Sequence, residues 1–314
     1  MSERLFRADL HVHSYHSGQA KHLRILRPRD CYSAPLDVYR TAKKRGMNLV
    51  TITDHDSIDG CLEVLARHPG LDDFIISEEV TAYLPEFHRA IHIGVFNITQ
   101  AQHHNIQKLR GQAAELLDYL EQENILFALN HLFHEFEGLP YVRDYVRHLI
   151  PRFRVFETRN GAMQREHNQL VTHLLNFFAN GQKRYGTVAG SDSHTLRRIG
   201  TTYTASPART KEEFLDDIRH GCAFVGGRHA DHWALAADIY GVVLRYYPSV
   251  IHNRHRDYPF WTRMKNILVS FSLSPFLFVP YLIALRHAHR ERQRIREIWR
   301  LLLAGELAES RAGF

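Results

Sequence analysis

Asp9-Leu10-His11-Val12-His13-Ser14 follows the short apolar run Leu5-Phe6-Arg7-Ala8 almost at the start of the chain. Extended backbone turns successive side chains to opposite faces, so a strand continuing through His13 puts Asp9, His11 and His13 on one face. Two imidazoles placed in this way reach a single ion. A lone His-x-His pair is a weak signal, because surface and capping histidines are common. Here the pattern repeats: Asn48 to Thr53 leads into Asp54-His55-Asp56, Asp73 to Ser77 into Glu78-Glu79, and Gly186 to Gly190 into Ser191-Asp192-Ser193-His194. Each polar set sits where an apolar strand ends, and His92 and His131 lie between the second and last sets. Imidazoles and carboxylates are the donors that bind zinc, manganese or iron, and in a barrel of alternating strands and helices all the strand ends gather on one face. The series therefore predicts a hydrolytic multimetal centre.

The remaining chain alternates in the same way. Pro35 to Gly46 predicts a helix, with Leu36, Val38, Tyr39 and Ala42 apolar, stopped by Gly46 before the next strand. Gln107 to Asn124 predicts a second, with Leu109, Ala113, Leu116, Leu117 and Leu120 at helical spacing, followed by a strand over Ile125 to Asn130. Phe153 to Thr158 reads as the sixth strand and Glu166 to Ala179 as the helix before the seventh. Lys211 to His220, with Thr210 as N-cap, closes this portion.

As a set, Asp9-Leu10-His11-Val12-His13-Ser14, Thr53-Asp54-His55-Asp56, a glutamate after the third strand, Ile91-His92-Ile93-Gly94, Ala128-Leu129-Asn130-His131, Glu157-Thr158-Arg159-Asn160 and Gly190-Ser191-Asp192-Ser193-His194 resemble the successive motifs of the PHP (polymerase and histidinol phosphatase) family, in that family's order. The resemblance implies an α/β fold, a distorted (β/α)7 barrel of parallel strands, carrying two or three divalent ions (Zn, Mn or Fe) and hydrolysing phosphoesters. It implies a first ion on His11, His13, Glu79 and Asp192, with Glu79 bridging to a second on His92 and His131. His55 and His194 belong to a third. Glu78 competes with Glu79, and Glu79 is preferred because Glu79-Val80-Thr81 aligns with the family's Glu-aliphatic-Ser/Thr. Where the family often has an Asp or His soon after the first motif, this chain is out of register, and His16, His22 or Asp30 is left to fill the third site. Asp192, His194 and His55 are the candidate catalytic residues, His194 or His55 assisting proton transfer unless a metal claims them.

Length and composition agree with one domain of this size. A chain of 314 residues, 44 % hydrophobic, suits a barrel of about 240 residues with an appendage. Cys31, Cys61 and Cys222 are odd in number and form no Cys-x-x-Cys pair, which excludes a disulfide framework and a cysteine zinc site. No basic-then-apolar leader precedes Asp9, so a reducing, cytoplasmic compartment is expected.

Charge divides the chain at residue 244. From Arg245 to Phe314 there are twelve Lys and Arg against five Asp and Glu, a net of +7, which leaves residues 1–244, the expected hydrolase barrel, at −1 out of the total +6. Within the basic tail, 245–314, Ile267 to Leu285 carries no charge over 19 residues and is flanked by Arg263 and Lys265 and by the arginines from Arg286 to Arg300. Three readings stand for this segment, 267–285: a helical cap on the barrel, an interfacial or re-entrant membrane anchor, and a true span, which Pro275 and Pro280 weigh against. An anchor would bring Phe271, Phe276, Leu277, Phe278 and Tyr281 to the lipid, with the stretch to residue 300 making peripheral contact through Arg286, Arg290, Arg292, Arg294, Arg296 and Arg300.

Arg197 and Arg198 follow the last motif and, with Arg159 and Asn160 more weakly, are candidates to hold a substrate phosphate. Lys21, Arg24, Arg27 and Arg29 form a basic loop expected over the metal face. His88, His103, His104, His148, His167, His173 and His220 fall outside the motifs and are read as surface residues. The leading function is phosphoester hydrolysis of a small phosphorylated metabolite, a nucleotide or a lipid headgroup. The alternatives are a nuclease, for which the basic excess lies in the wrong place, and a non-catalytic module, which would have lost its ligands. Nucleic acid is accordingly the less favoured partner.

Overall fold

The computed structural model describes residues 5–20, 26–134, 136–137, 139–179, 184–253, 258–276 and 278–312, with side chains described to 303. Lys21, His22, Arg24 and Leu277 lie outside the described residues. In chain order the elements are β1 (Phe6–Ala8), α1 (Pro35–Lys44), α2 (Asp59–Arg67), β2 (Ser77–Leu84), β3 (Arg89–Phe96), α3 (Gln100–Leu109), α4 (Ala113–Gln122), β4 (Leu126–Leu129), α5 (Val142–Leu149), β5 (Val155–Asn160), α6 (Arg165–Ala179), β6 (Gly186–Gly190), β7 (Thr202–Ser206), α7 (Lys211–Arg219), β8 (Phe224–Gly227), α8 (His232–His252), α9 (Phe260–Ser272) and α10 (Val279–Ala312).

An α/β fold forms, but its hydrogen-bonded ladders make two sheets, not one closed barrel of seven parallel strands. One sheet has the order β1-β7-β8 and the other β2-β3-β4-β5-β6. Only β4–β5 and β5–β6 pair parallel within the second sheet; β2–β3 and β3–β4 are antiparallel. The reason is the connection: β2 and β3 are joined by a turn over Pro85–Phe87 and His88, too short for the crossover that a parallel pair requires. The apolar stretches at Asn48–Thr53 and Asp73–Ile76 remain extended but join their neighbours through isolated parallel bridges, Ala8–Leu49 and Val50–Phe74. Those bridges connect the two sheets on one side.

The helices follow the apolar stripes, with one correction. The stretch read as a single helix from Gln107 to Asn124 is α3 and α4, parted at Gly111. Thr99 starts α3 with a capping box, its side chain accepting from the Gln102 amide while Gln102 returns a bond to the Thr99 amide. Thr210 likewise caps α7 by accepting from the Glu213 amide at 3.2 Å.

The boundary at residue 244 falls inside α8, so the helical tail begins at His232 rather than at Arg245. The second half of α10 covers α5 and α6: Ile295, Ile298 and Leu302 are buried in the main core, and Gln164 donates to the Ala288 carbonyl at 2.7 Å. The uncharged segment is broken by Pro275 and Pro280 into the end of α9, a short turn and the start of α10. No single helix among the described residues is long and apolar enough to cross a membrane; the pair Phe260–Ser272 and Ser274–Leu303 passes by length and composition together, bent by 54°.

Candidate metal centre

Backbone pairing brings the motif residues together. Past β1 the chain stays extended, with the His13 amide bonded to the Ser193 carbonyl at 3.2 Å and the Asp192 amide to the His11 carbonyl at 2.7 Å. The Thr53 amide bonds to Val12, the Glu79 amide to Asp54 and the Asn130 amide to His92. Each strand end is thus tied to the next, and all eight candidate ligands meet.

Glu79 is the hub. Its carboxylate lies 3.2 Å from His11 Nε2, 3.6 Å from His13 Nε2, 3.0 Å from His55 Nδ1, 3.3 Å from His92 Nδ1 and 3.1 Å from His131 Nε2. Asp192 stands on the other side of the histidine pair, 3.6 Å from His11 Nε2 and 3.3 Å from His13 Nε2. Four groups have their donor atoms within 4.8 Å of one another: His11-His13-Glu79, His11-His131-Asp192, His55-Glu79-His92 and His13-His55-His194. Glu78 points away, accepting from His103 Nδ1 at 2.9 Å and Gln107 at 2.8 Å.

The hydrogen bonds fix which imidazole nitrogens face the cluster. Glu157 accepts from His11 Nδ1 at 2.8 Å, leaving Nε2 toward Glu79 and Asp192. Ser17 gives its own proton to Asp54 at 2.8 Å, so its oxygen accepts from His13 Nδ1 at 2.9 Å and again leaves Nε2 inward. His11 Nε2, His13 Nε2, His55 Nδ1, His92 Nδ1, Glu79 Oε2 and Asp30 Oδ2 are all buried without an aligned hydrogen bond. Buried polar atoms left this way are costly, and a cation among them removes that cost, so the donor set fits a multimetal centre.

Electrostatics agree. Burial would push the Glu79 carboxyl up, but His11, His92 and His55 outweigh it and hold it well below the usual carboxylate range. Burial likewise opposes charge on His194, yet Asp30 and Asp192 lift its pKa to about 10. His13 goes the other way, lowered to about 3 by burial and by His194 beside it. The bare cluster thus keeps its carboxylates ionised by holding protons on selected histidines, a charge that divalent cations also supply.

Further residues surround these eight: Asp30, one of three left open for the third site, Asn160, read as a weak phosphate candidate, and Glu157, Asn130 and His134, given no role from the sequence. Asp30 lies 2.8 Å from His194 Nε2 and 3.7 Å from His55 Nε2, whereas His16 turns to Glu63 at 3.1 Å. Glu157 also accepts from the His131 amide at 3.0 Å and from Asn160 at 2.9 Å, and Asn160 reaches Asp192 at 3.0 Å. Asn130 donates to Glu79 at 2.9 Å. His134 is half-buried with its ring 5.1 Å from that of His131, and the spacing His131-x-x-His134 was the available signal. Asp9, by contrast, is structural: it accepts from the Ser191 amide at 2.7 Å and the Gly200 amide at 2.6 Å. His131 (φ 23°) and Asp192 (φ 49°) hold left-handed backbone that costs non-glycine residues about 1 kcal/mol or more, a strain that clusters at functional sites.

The arginines divide. Arg198 is buried and committed to Asp238 at 3.0 Å and to the Gly161 carbonyl, which corrects its reading as a phosphate ligand. Arg159 donates to the Gly227 carbonyl at 3.1 Å, and Arg197 is exposed. Arg29 bonds the Tyr15 carbonyl and lies over the Tyr15 ring. Of the histidines read as surface residues, His167 is fully buried and accepts from the Phe133 amide at 3.3 Å, because it shares the inner face of α6 with Leu170, Val171 and Leu174.

Two cavities flank the donors. One of about 770 Å³ is lined by His92, His131 and His134 together with Glu86, Arg89 and Tyr141. The other, of about 780 Å³, touches Asp30, Asp192 and His194 and extends under α8 and α9.

Residues 182–222 match the PHP-associated family model. An uncharacterized protein of Methanocaldococcus jannaschii is 38 % identical over 77 residues, 24 % of this chain; the match spans 44 % of that relative's length. Among solved structures, PsfC from Pseudomonas syringae superposes with a TM-score of 0.51 at 18 % identity, covering 77 % of this chain and 99 % of that one. A two-domain protein containing a predicted PHP-like metal-dependent phosphoesterase from Bacteroides vulgatus gives 0.47 at 12 % identity, covering 76 % and 70 %. The fold is α/β, and its convergent His, Glu and Asp side chains form a donor set that could hold metal ions. The family-model match takes in the last of the ordered motifs, and together they make the chain similar to proteins of the PHP family.

Proposed function

We propose that this protein is a metal-dependent phosphoesterase holding two or three divalent ions of the zinc, manganese or iron kind. The observation that carries the reading is the orientation of two rings: His11 and His13, each hydrogen-bonded outside the cluster through Nδ1, both turn Nε2 onto Glu79 and Asp192. In this reading His11, His13, Glu79 and Asp192 hold the first ion, Glu79 with His92 and His131 the second, and His55, His194 and Asp30 the third. Ions so held lower the pKa of water and neutralise charge developing at phosphorus. Glu157 and Asn160 keep His11 and Asp192 in place by hydrogen bonds at 2.8 and 3.0 Å. Cys31 and Cys61 are buried, and burial pushes both thiols up to about 12, so neither offers a nucleophile. With two ions bound and the third site empty, His55 and His194, each about a quarter exposed, face the accessible side with Asp192 and are placed to move a proton at the leaving oxygen. Among the described residues lining the two cavities, Arg89 is the one Arg or Lys, which gives the nuclease reading no support.

Protein purified without chelators is expected to carry at least about two ions per chain by elemental analysis, and chelation to abolish hydrolysis in a screen of phosphomonoesters, diesters and nucleotides. Less than one ion after metal resupply would sink the metalloenzyme reading. The third site has its own check. Asp30→Asn should lower metal content by up to one equivalent and turnover by about 10–100-fold, with His16→Ala close to wild type; equal losses in the two variants would show that Asp30 has no special place.

A further inference from the structure

The cavity under α8 begins at metal donors and ends in hydrocarbon. Its volume, about 780 Å³, is that of a small-molecule site. Beyond Asp30, Asp192 and His194 its walls are Leu235, Ile239 and Val242 of α8 with Leu273, Val279 and Ile283 from the segment that follows. Positions 235, 239, 242 and 246 recur at three- and four-residue spacing, so a full stripe of α8 faces the cavity. Although α8 is 21 residues long, Ala236, Tyr246 and Val250 are its buried residues. Leu235, Ile239 and Val242 are half-buried and Tyr246 closes the stripe from within, so the described chain covers this apolar surface only in part, and it abuts a charged cluster. Only an amphiphile satisfies both ends.

The alternatives fit poorly. Among the described residues the cavity wall contains no Arg or Lys, and Asp238 within it is already neutralised by Arg198 at 3.0 Å. Among the described residues of the wall a second phosphate finds no cation beyond the metal donors. Sugar hydroxyls or base amides lying along Leu235, Ile239 and Val242 would lose their hydrogen bonds, at a cost that excludes tight binding. Phe276 and Ile283, 53 % and 56 % exposed, belong both to the wall and to the outer surface, so the cavity opens onto apolar ground.

We infer that the substrate is a phosphate ester of an alcohol bearing a long hydrocarbon chain, its phosphate at Asp30, Asp192 and His194 and its chain along α8. The inference rests on the phosphoesterase reading of the same site. For a monoester, hydrolysis breaks the bond between phosphorus and the ester oxygen; water gives its hydroxyl to phosphorus and its remaining proton to the leaving alkoxide, releasing phosphate and the free alcohol.

The test uses the full-length, metal-loaded protein and ethyl, hexyl and decyl phosphate below their micellar concentrations. kcat/KM is expected to rise by up to about fourfold per methylene until the cavity is filled. By calorimetry decylphosphonate, which is not hydrolysed, should bind at least about 100-fold more tightly than ethylphosphonate. Val242→Asp should cut the decyl-to-ethyl ratio of both readouts at least about tenfold. Ile239→Trp, which fills the same space without adding charge, serves if the first variant does not fold, with circular dichroism and metal content as controls. Equal turnover along the series together with equal phosphonate binding overturns the inference and leaves the phosphoesterase reading standing. Chain-dependent phosphonate binding with no ester hydrolysed overturns the phosphoesterase reading, and with it the ester as substrate, leaving only a cavity that binds amphiphiles. Where long-chain esters are turned over, comparing decyl phosphate in solution with phosphatidic acid in phosphatidylcholine vesicles distinguishes a free amphiphile from a bilayer lipid as the source.

Discussion

Glu79→Gln is expected to strip the centre of metal and to lower phosphoester turnover at least about 10³-fold, well past the roughly 10–100-fold lost when an outer partner of a ligand is removed. The reason is position: five imidazole nitrogens lie 3.0–3.6 Å from this one carboxylate. Glutamine keeps the shape and can still meet Asn130, but it removes the charge that two ions would share. The same change should also weaken the metal-free fold, because Glu79 is fully buried against histidines that carry its counter-charge and removing one partner leaves the other uncompensated. Thermal melts with and without added metal separate the two effects: the wild type should gain stability on metal addition and the variant should not. A variant that retained two ions and more than a tenth of the activity would refute the bridging role.

The same geometry shows how much of the centre could be read in advance. His11 and His13 were legible because alternation along extended backbone needs only local conformation, and the other ligands because each follows an apolar run. Asp30 was not, although it was one of three residues considered. Its place depends on a small loop in which the Asp30 amide bonds the Gly18 carbonyl at 3.1 Å and the Ala20 amide bonds Pro28 at 3.0 Å, folding the chain back over His55 and His194. No periodicity announces such a return. The antiparallel β2–β3 pair was legible in principle, since four residues cannot carry a parallel crossover, but the apolar alternation of a hairpin strand and of a barrel strand is the same. His167 likewise sits one turn from Leu170 and Val171 on the buried face of α6, where helical spacing alone would have placed it. The gap between α3 and α4 rests on Gly111, a residue that tolerates a helix interior often enough to leave both readings open.

Gly190→Ala should cost about 3 kcal/mol of stability and lower the melting temperature by roughly 5–10 °C, with metal content falling alongside. Gly190 ends β6 against the extension of β1. A Cβ there would stand 2.3 Å from His11 N and Cβ and 2.7 Å from its Cα, and these neighbouring atoms belong to or adjoin the backbone, which cannot swing aside like the end of a flexible side chain. The two segments would have to part. That would stretch the Leu10–Ala189 and Asp192–His11 backbone bonds, at 3.3 and 2.7 Å, which hold His11 and Asp192 on opposite sides of the same donor set. Even a shift of half an ångström there alters ligand distances that are only 3.2 and 3.6 Å to begin with. Gly111→Ala is the control: a Cβ at that position meets nothing within 4 Å, so stability and metal content should stay close to wild type. If Gly190→Ala melted within a degree of wild type and kept its ions, the close approach of these two strands would not be what seats His11. Loss in Gly190→Ala alone would tie the family motif's glycine to the metal centre through backbone contact rather than through any chemistry of its own.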